Sequence, residues 1–203
     1  MTRARPFVVA ALLILSAGAA GAADFGFKVG INWATIPDYT GPVGGLDSAT
    51  TPSLTGGPFI VFHLAGVLAL QPEMLYVEKG TVLRAANPDL DLETTLELEY
   101  LEFPILARIE AKQPGRTSLY ALAGPSFGYG FRATERIESL GQESERELDT
   151  IKPFEVSLVL GGGVRVGWLL AEGRYTQGLT TIDGEPGTPF KNRCLAVLLG
   201  FQF

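Results

Sequence analysis

The sequence predicts an all-β fold, an eight-stranded antiparallel up-and-down transmembrane β-barrel with short periplasmic turns and long extracellular loops. Three observations predict it. The chain ends on an alternating strand, Asn192 to Phe203 (NRCLAVLLGFQF), that stops on an aromatic residue. It begins with a secretory signal sequence. Between them lie eight alternating segments whose connections sort by length.

In the terminal stretch, Leu195, Val197, Leu199, Phe201 and Phe203 form one apolar row, and Cys194, Ala196, Leu198, Gly200 and Gln202 form a smaller, mixed one. Successive side chains of a strand point to opposite faces, so a period of two means a strand. Chain termini of soluble proteins usually fray at the surface. The last strand of a membrane barrel must instead close against the first and meet lipid along its length, with aromatic residues at the interface. From this stretch alone, a C-terminal core strand of a soluble sandwich remains open.

Residues 1–23 read as a cleaved signal peptide. Arg3 and Arg5 make a basic start, and Phe7 to Leu15 is an apolar run too short to span a bilayer as a helix. Ala20-Gly21-Ala22 fits the small-residue cleavage pattern, so cleavage is expected after Ala22 or Ala23. The mature domain is then 24–203, about 180 residues, a size that suits one domain. It keeps 14 of the 16 basic residues and all 22 acidic ones, a formal charge of −8. That charge argues against nucleic acid or anionic membrane surfaces as partners, since both need basic patches. The single cysteine, Cys194, excludes an intramolecular disulfide and a zinc-type cysteine cluster.

The first strand is Asp24 to Ile36, with Phe25, Phe27, Val29, Ile31 and Trp33 opposing Gly26, Lys28, Gly30 and Asn32. A loop rich in Pro, Gly, Ser and Thr follows, Pro37 to Ser53. The second strand covers Leu54 to Leu64 and turns at Ala65-Gly66. The third covers Val67 to Lys79, with Leu68, Leu70, Met74 and Tyr76 opposing Gln71, Glu73 and Lys79. An acidic loop, Val82 to Glu93, leads to the fourth strand, Thr94 to Ile109. There the apolar positions change phase near Tyr100-Leu101, which predicts a bulge or a strand rising out of the membrane.

After the turn Lys112 to Arg116, the fifth strand, Thr117 to Arg132, sets Leu119, Ala121, Ala123, Phe127, Tyr129 and Phe131 against Tyr120, Gly124, Ser126, Gly128, Gly130 and Arg132. A charged loop, Ala133 to Thr150, precedes the sixth strand, Ile151 to Val166. The seventh, Trp168 to Ile182, sets Leu169, Ala171, Tyr175 and Leu179 against Glu172, Arg174 and Thr176. The connections after strands two, four and six are short, and the others are longer. Outer-membrane barrels show this asymmetry, with both termini on the periplasmic side.

One face is apolar and aromatic in most strands. The other collects glycines with Lys28, Glu73, Glu102, Arg108, Glu155, Arg165, Glu172 and Arg174. Glycine inside a strand is unfavourable on a solvent face, but in a narrow lumen it leaves room for bulky neighbours. Buried charges must be paired. The expectation is therefore an inverted protein, apolar outside, with those eight residues forming a salt-bridged structural network inside.

Several phrases carry a resemblance. They are Lys28-Val29-Gly30-Ile31-Asn32, Gln71-Pro72-Glu73-Met74-Leu75-Tyr76, Tyr100-Leu101-Glu102-Phe103-Pro104, Ala123-Gly124-Pro125, Glu172-Gly173-Arg174-Tyr175 and Gly200-Phe201-Gln202-Phe203. In this order they resemble the porin-like outer-membrane β-barrel domain family, of the OmpA/OmpX eight-stranded type. The resemblance implies a monomer in the bacterial outer membrane, surrounded by its lipid. Phe203 resembles the membrane-insertion signal through which barrel-assembly machinery takes up the C-terminal strand. Fold does not fix activity.

Catalytic chemistry finds little support. The only histidine, His63, is expected at the periplasmic rim, and no triad partner is placed by sequence. The carboxylates could form a paired acid–base site, but basic residues accompany them in similar number. Gly161-Gly162-Gly163 sits in a strand and resembles no phosphate loop. Neither cofactor nor metal is expected. Three functions follow: a non-catalytic barrel with a structural or surface-contact role, a small or gated porin-like channel, and a soluble periplasmic lipocalin-like carrier of an apolar ligand.

Overall fold

The computed structural model of the chain describes residues 23–35, 46–50, 52–85, 92–113, 115–139, 142–147, 154–180 and 193–203. For 35, 46–50, 80–85, 92–97, 133, 135–139 and 142–147 only the backbone is described. Residues 1–22 of the expected signal peptide and the tips of the long connections fall outside these residues. The described residues form eleven strand segments: β1 Ala23–Thr35, β2 Leu46–Thr50, β3 Pro52–Ala65, β4 Leu68–Pro72, β5 Leu75–Ala85, β6 Leu92–Lys112, β7 Thr117–Ser139, β8 Gln142–Glu147, β9 Phe154–Val166, β10 Leu169–Gly178 and β11 Arg193–Gln202. No helix among the described residues is long and apolar enough to cross a membrane.

The ring closes because β1 pairs antiparallel with both β3 and β11. Around it run β1, β3, the β4–β5 pair, β6, β7, β9, β10 and β11, eight strands in all. β4 and β5 count as one strand. Pro72 ends β4, yet Glu73 N–H still donates to Pro104 O at 2.9 Å, and Met74 N–H to Pro58 O at 3.0 Å. Three tight turns lie at one end, and Gly66, Gly115 and Gly167 sit there at φ of 57°, 87° and 64°. Glycine reaches such angles without a Cβ penalty, which keeps these turns short.

The opposite end departs from the sequence expectation. Pro37 to Ser53, Val82 to Glu93 and Ala133 to Thr150 were each expected to be loops. Instead β2 pairs with the end of β5, β5 with β6, β6 with β7 as far as Ser139, and β7 with β8. A five-stranded sheet thus rises above the ring. β6 has 21 residues and β7 has 23, about twice the 9–11 that a tilted strand needs to cross a bilayer. Charges in Ala133 to Thr150 suggested a solvated loop, but alternating polar residues also make a strand that is wet on both faces.

The expected rise of β6 beyond the ring occurs, and its apolar positions change sides with no slip within β6 itself. Even-numbered positions point inward throughout, from Leu98 and Tyr100 to Arg108 and Glu110. Apolar residues change sides while the strand keeps its phase, because the loop end of the lumen is itself apolar, with Leu75, Val77, Leu98 and Tyr100 clustered there. A bulge does occur at this level, but in β7. Glu99 pairs with Arg132 and Tyr100 with Gly130, so Phe131 is the extra residue. The bulge turns Arg132 outward, where it pairs with Glu99 at 3.3 Å. Sequence phase had placed Arg132 inside.

The aliphatic row faces outward. Leu195, Val197 and Leu199 of β11 alternate with buried Cys194, Ala196 and Leu198. This arrangement does not suit a carrier that holds an apolar ligand inside. Aromatic pairs lie near both ends of the wall, Phe201–Phe203 with centroids 5.4 Å apart and Phe127–Phe154 at 6.4 Å.

The glycines do not all do the same thing. A Cβ on Gly163 would lie 2.5 Å from the Tyr120 hydroxyl and 2.3 Å from Ala171 O, whereas one on Gly173 would meet nothing within 4 Å. Gly163→Ala is therefore expected to lower unfolding stability by about 1–3 kcal/mol through overpacking. Gly173→Ala should leave it unchanged or raise it slightly. Urea unfolding of both variants in detergent micelles checks the contrast.

Candidate functional site

The buried charges of the lumen fall into three groups along its axis. In the middle, alternation in β1 and β10 turns Lys28, Glu172 and Arg174 inward, and Glu73 joins them from between β4 and β5. Lys28 Nζ lies 2.8 Å from Glu73 Oε1 and 2.9 Å from Glu172 Oε1. Arg174 donates to both Glu73 oxygens at 3.0 and 3.1 Å, and through Nε and NH2 to Glu172. Gln71 adds a hydrogen bond to Glu73 at 2.7 Å, and the Tyr120 hydroxyl donates to Glu172 at 3.2 Å. Two cations thus face two carboxylates, with Lys28 0 % exposed.

Toward the loop end, Lys79 Nζ lies 2.8 Å from Glu102 and 3.0 Å from Glu155, over the Tyr100 ring at 4.5 Å. Toward the turn end, Arg108 contacts Glu110 at 2.7 Å, donates to Gln71 at 2.7 Å and to Gln202 at 3.2 Å, and stacks on Tyr120 at 3.9 Å. Arg165 reaches Glu110 at 2.8 Å. One group therefore has an extra carboxylate and the other an extra cation, so the lumen is neutral in sum but polarised from end to end.

The eight charges singled out by sequence are distributed over all three groups: Lys28, Glu73, Glu172 and Arg174 together, Glu102 with Glu155, and Arg108 with Arg165. Sequence reasoning left out Lys79 and Glu110, which complete the two outer groups. Lys79 shares the phase of Gln71 and Glu73, and Glu110 lies two residues past Arg108, so strand phase could have found both. Gln71, Tyr120 and Gln202, which link the groups, carry no charge to draw attention. Phe203 ends the outward row, and its backbone pairs with Phe25 at 2.8 and 3.0 Å. His63 is at the rim, 3.2 Å from Asp24. Among the described residues no group of three or more His, Cys, Asp or Glu could hold a metal.

A closed ring of amphipathic strands, apolar to the outside and charged within, defines an outer-membrane-type barrel. Residues 16–184 match the family model described as outer membrane protein beta-barrel domain. The chain belongs to that family. No protein with a curated description matches it. Similar solved structures include OprG of Pseudomonas aeruginosa, at 10 % identity over 90 % of this chain and 97 % of that one, TM-score 0.46. Ail, the attachment invasion locus protein of Yersinia pestis, is similar at 11 % identity over 89 % and 97 %, TM-score 0.42. Neisserial surface protein A is similar at 12 % identity over 89 % and 97 %, TM-score 0.42.

Proposed function

We propose that the protein is a non-catalytic barrel of the bacterial outer membrane, monomeric and exported by its first 23 residues. Its role is structural or one of surface contact. The mature chain, 24–203, is handed to the barrel-assembly machinery through the strand ending at Phe203. The charges of the lumen hold the wall together, and the sheet above the ring is the part offered to the outside. The observation that carries this reading is the filling of the lumen by packed side chains, polar and apolar: Lys28, Gln71, Leu106 and Leu198 are all 0 % exposed. An eight-stranded ring has an interior about the size of its own side chains.

The swelling of proteoliposomes in small sugars tests it. The expected rate equals that of protein-free vesicles. Swelling that scales with protein content would favour the small or gated channel instead. His63 fits an anchoring role, since its hydrogen bond to Asp24 ties β3 to β1 at the rim.

A further inference from the structure

The turn end of the barrel carries a depression of about 480 Å³ that no part of the proposed function uses. Lys112, Arg116 and Arg165 line it together with Gln202, Trp168 and Phe203, three cations and no acidic side chain. Arg165 already bonds Glu110 and, at 3.0 Å, Gly167 O, and its Nε is buried without an acceptor. Lys112 and Arg116 have no ion pair among the described residues, and both are exposed. The adjacent lumenal group, Arg108, Arg165 and Glu110, carries one surplus cation. Asp24, bonded to Gln202 at 2.7 Å, and Glu110 offset part of this charge, but Lys112, Arg116, Arg165 and Arg108 still leave a local positive excess in a chain whose formal charge is −6.

Trp168 and Phe203 set the depth. They are 57 % and 73 % exposed and stand at the turn end, where aromatic girdles of such barrels meet the head groups of the periplasmic leaflet. The depression therefore has Phe203, which continues the outward row of β11, on its lipid side, and the exposed Trp168 in the turn beside the cations. A free anion would use the cations and not the aromatic rings. An anionic phospholipid would use both, its phosphate on Lys112 and Arg116 and its glycerol and upper acyl chains over Trp168 and Phe203. We propose that this mouth binds the phosphate of an anionic phospholipid from the periplasmic leaflet.

The test uses the mature chain carrying Trp33→Phe, which leaves Trp168 as the only tryptophan. Phosphatidylglycerol is titrated into phosphatidylcholine nanodiscs holding this protein, and Trp168 emission is followed. A saturable shift is expected with phosphatidylglycerol. Lys112→Gln with Arg116→Gln should raise the half-saturating fraction about 25-fold, at about five-fold per basic side chain. The unboiled gel mobility of the double variant should match the parent, which shows that its barrel is folded. An identical response to phosphatidylcholine alone overturns the proposal, as does an unchanged titration in the folded double variant. A saturating shift with inorganic phosphate in lipid-free detergent also overturns it, because the site would then take free anions.

Discussion

Lys28→Met lowers the unfolding free energy of the barrel by about 3–5 kcal/mol, the range for breaking one side of a buried ion pair. Lys28 Nζ is shared between Glu73 and Glu172, at 2.8 and 2.9 Å, and all three side chains lie out of water. Removing it leaves two carboxylates beside the single guanidinium of Arg174. The loss should be partly reversed by a second change. In Lys28→Met with Glu172→Gln, one cation faces one carboxylate again, and more than half of the lost stability should return. Such recovery marks coupling within one network, which additive single effects would lack. Urea unfolding in detergent micelles, followed by tryptophan emission and by unboiled gel mobility, gives all three values. A double variant as unstable as the sum of its singles would mean that the contacts do not act together.

The second large effect belongs to the outer wall. Val197 lies midway along β11, outward and 50 % exposed, between the aromatic ends of the barrel. Val197→Arg should cost about 2–4 kcal/mol, the penalty for a cation on the lipid face near the bilayer midplane. The same change on a water-washed strand usually stays within about 0.5 kcal/mol. The measurement is reversible unfolding from phospholipid vesicles, with parent and variant compared at one pH. A near-zero difference would place this face in water.

Period two made the wall legible in the sequence, because membrane strands must separate lipid-facing from lumen-facing residues. Leu195 to Phe203, Phe25 to Trp33 and Leu119 to Tyr129 could be read that way. The sheet above the ring was not legible, since Asp47, Arg84, Glu93, Glu138 and Glu143 sit in stretches without apolar alternation. Strands that leave the membrane no longer need an apolar face, and only the pairing registers reveal them. Arg132 was misplaced because a one-residue bulge at Phe131 reverses the faces beyond it. The lumenal site could be read as a set of charges, but its division into groups depends on strand stagger. Lys28 and Glu172 are 144 residues apart, and no local pattern joins them.

In this barrel the apolar row faces lipid and the charged row is enclosed. A quenching experiment on β11 tests this arrangement most directly. In a Cys194→Ala background, single cysteines replace Leu195, Val197, Leu199 and Phe201 in turn, and each carries a bimane label in reconstituted vesicles. Strong quenching is expected from lipids brominated on their acyl chains, greatest at 197 and 199, and weak quenching from aqueous iodide. Strong iodide quenching with no effect of the brominated lipids at those two positions would contradict that arrangement.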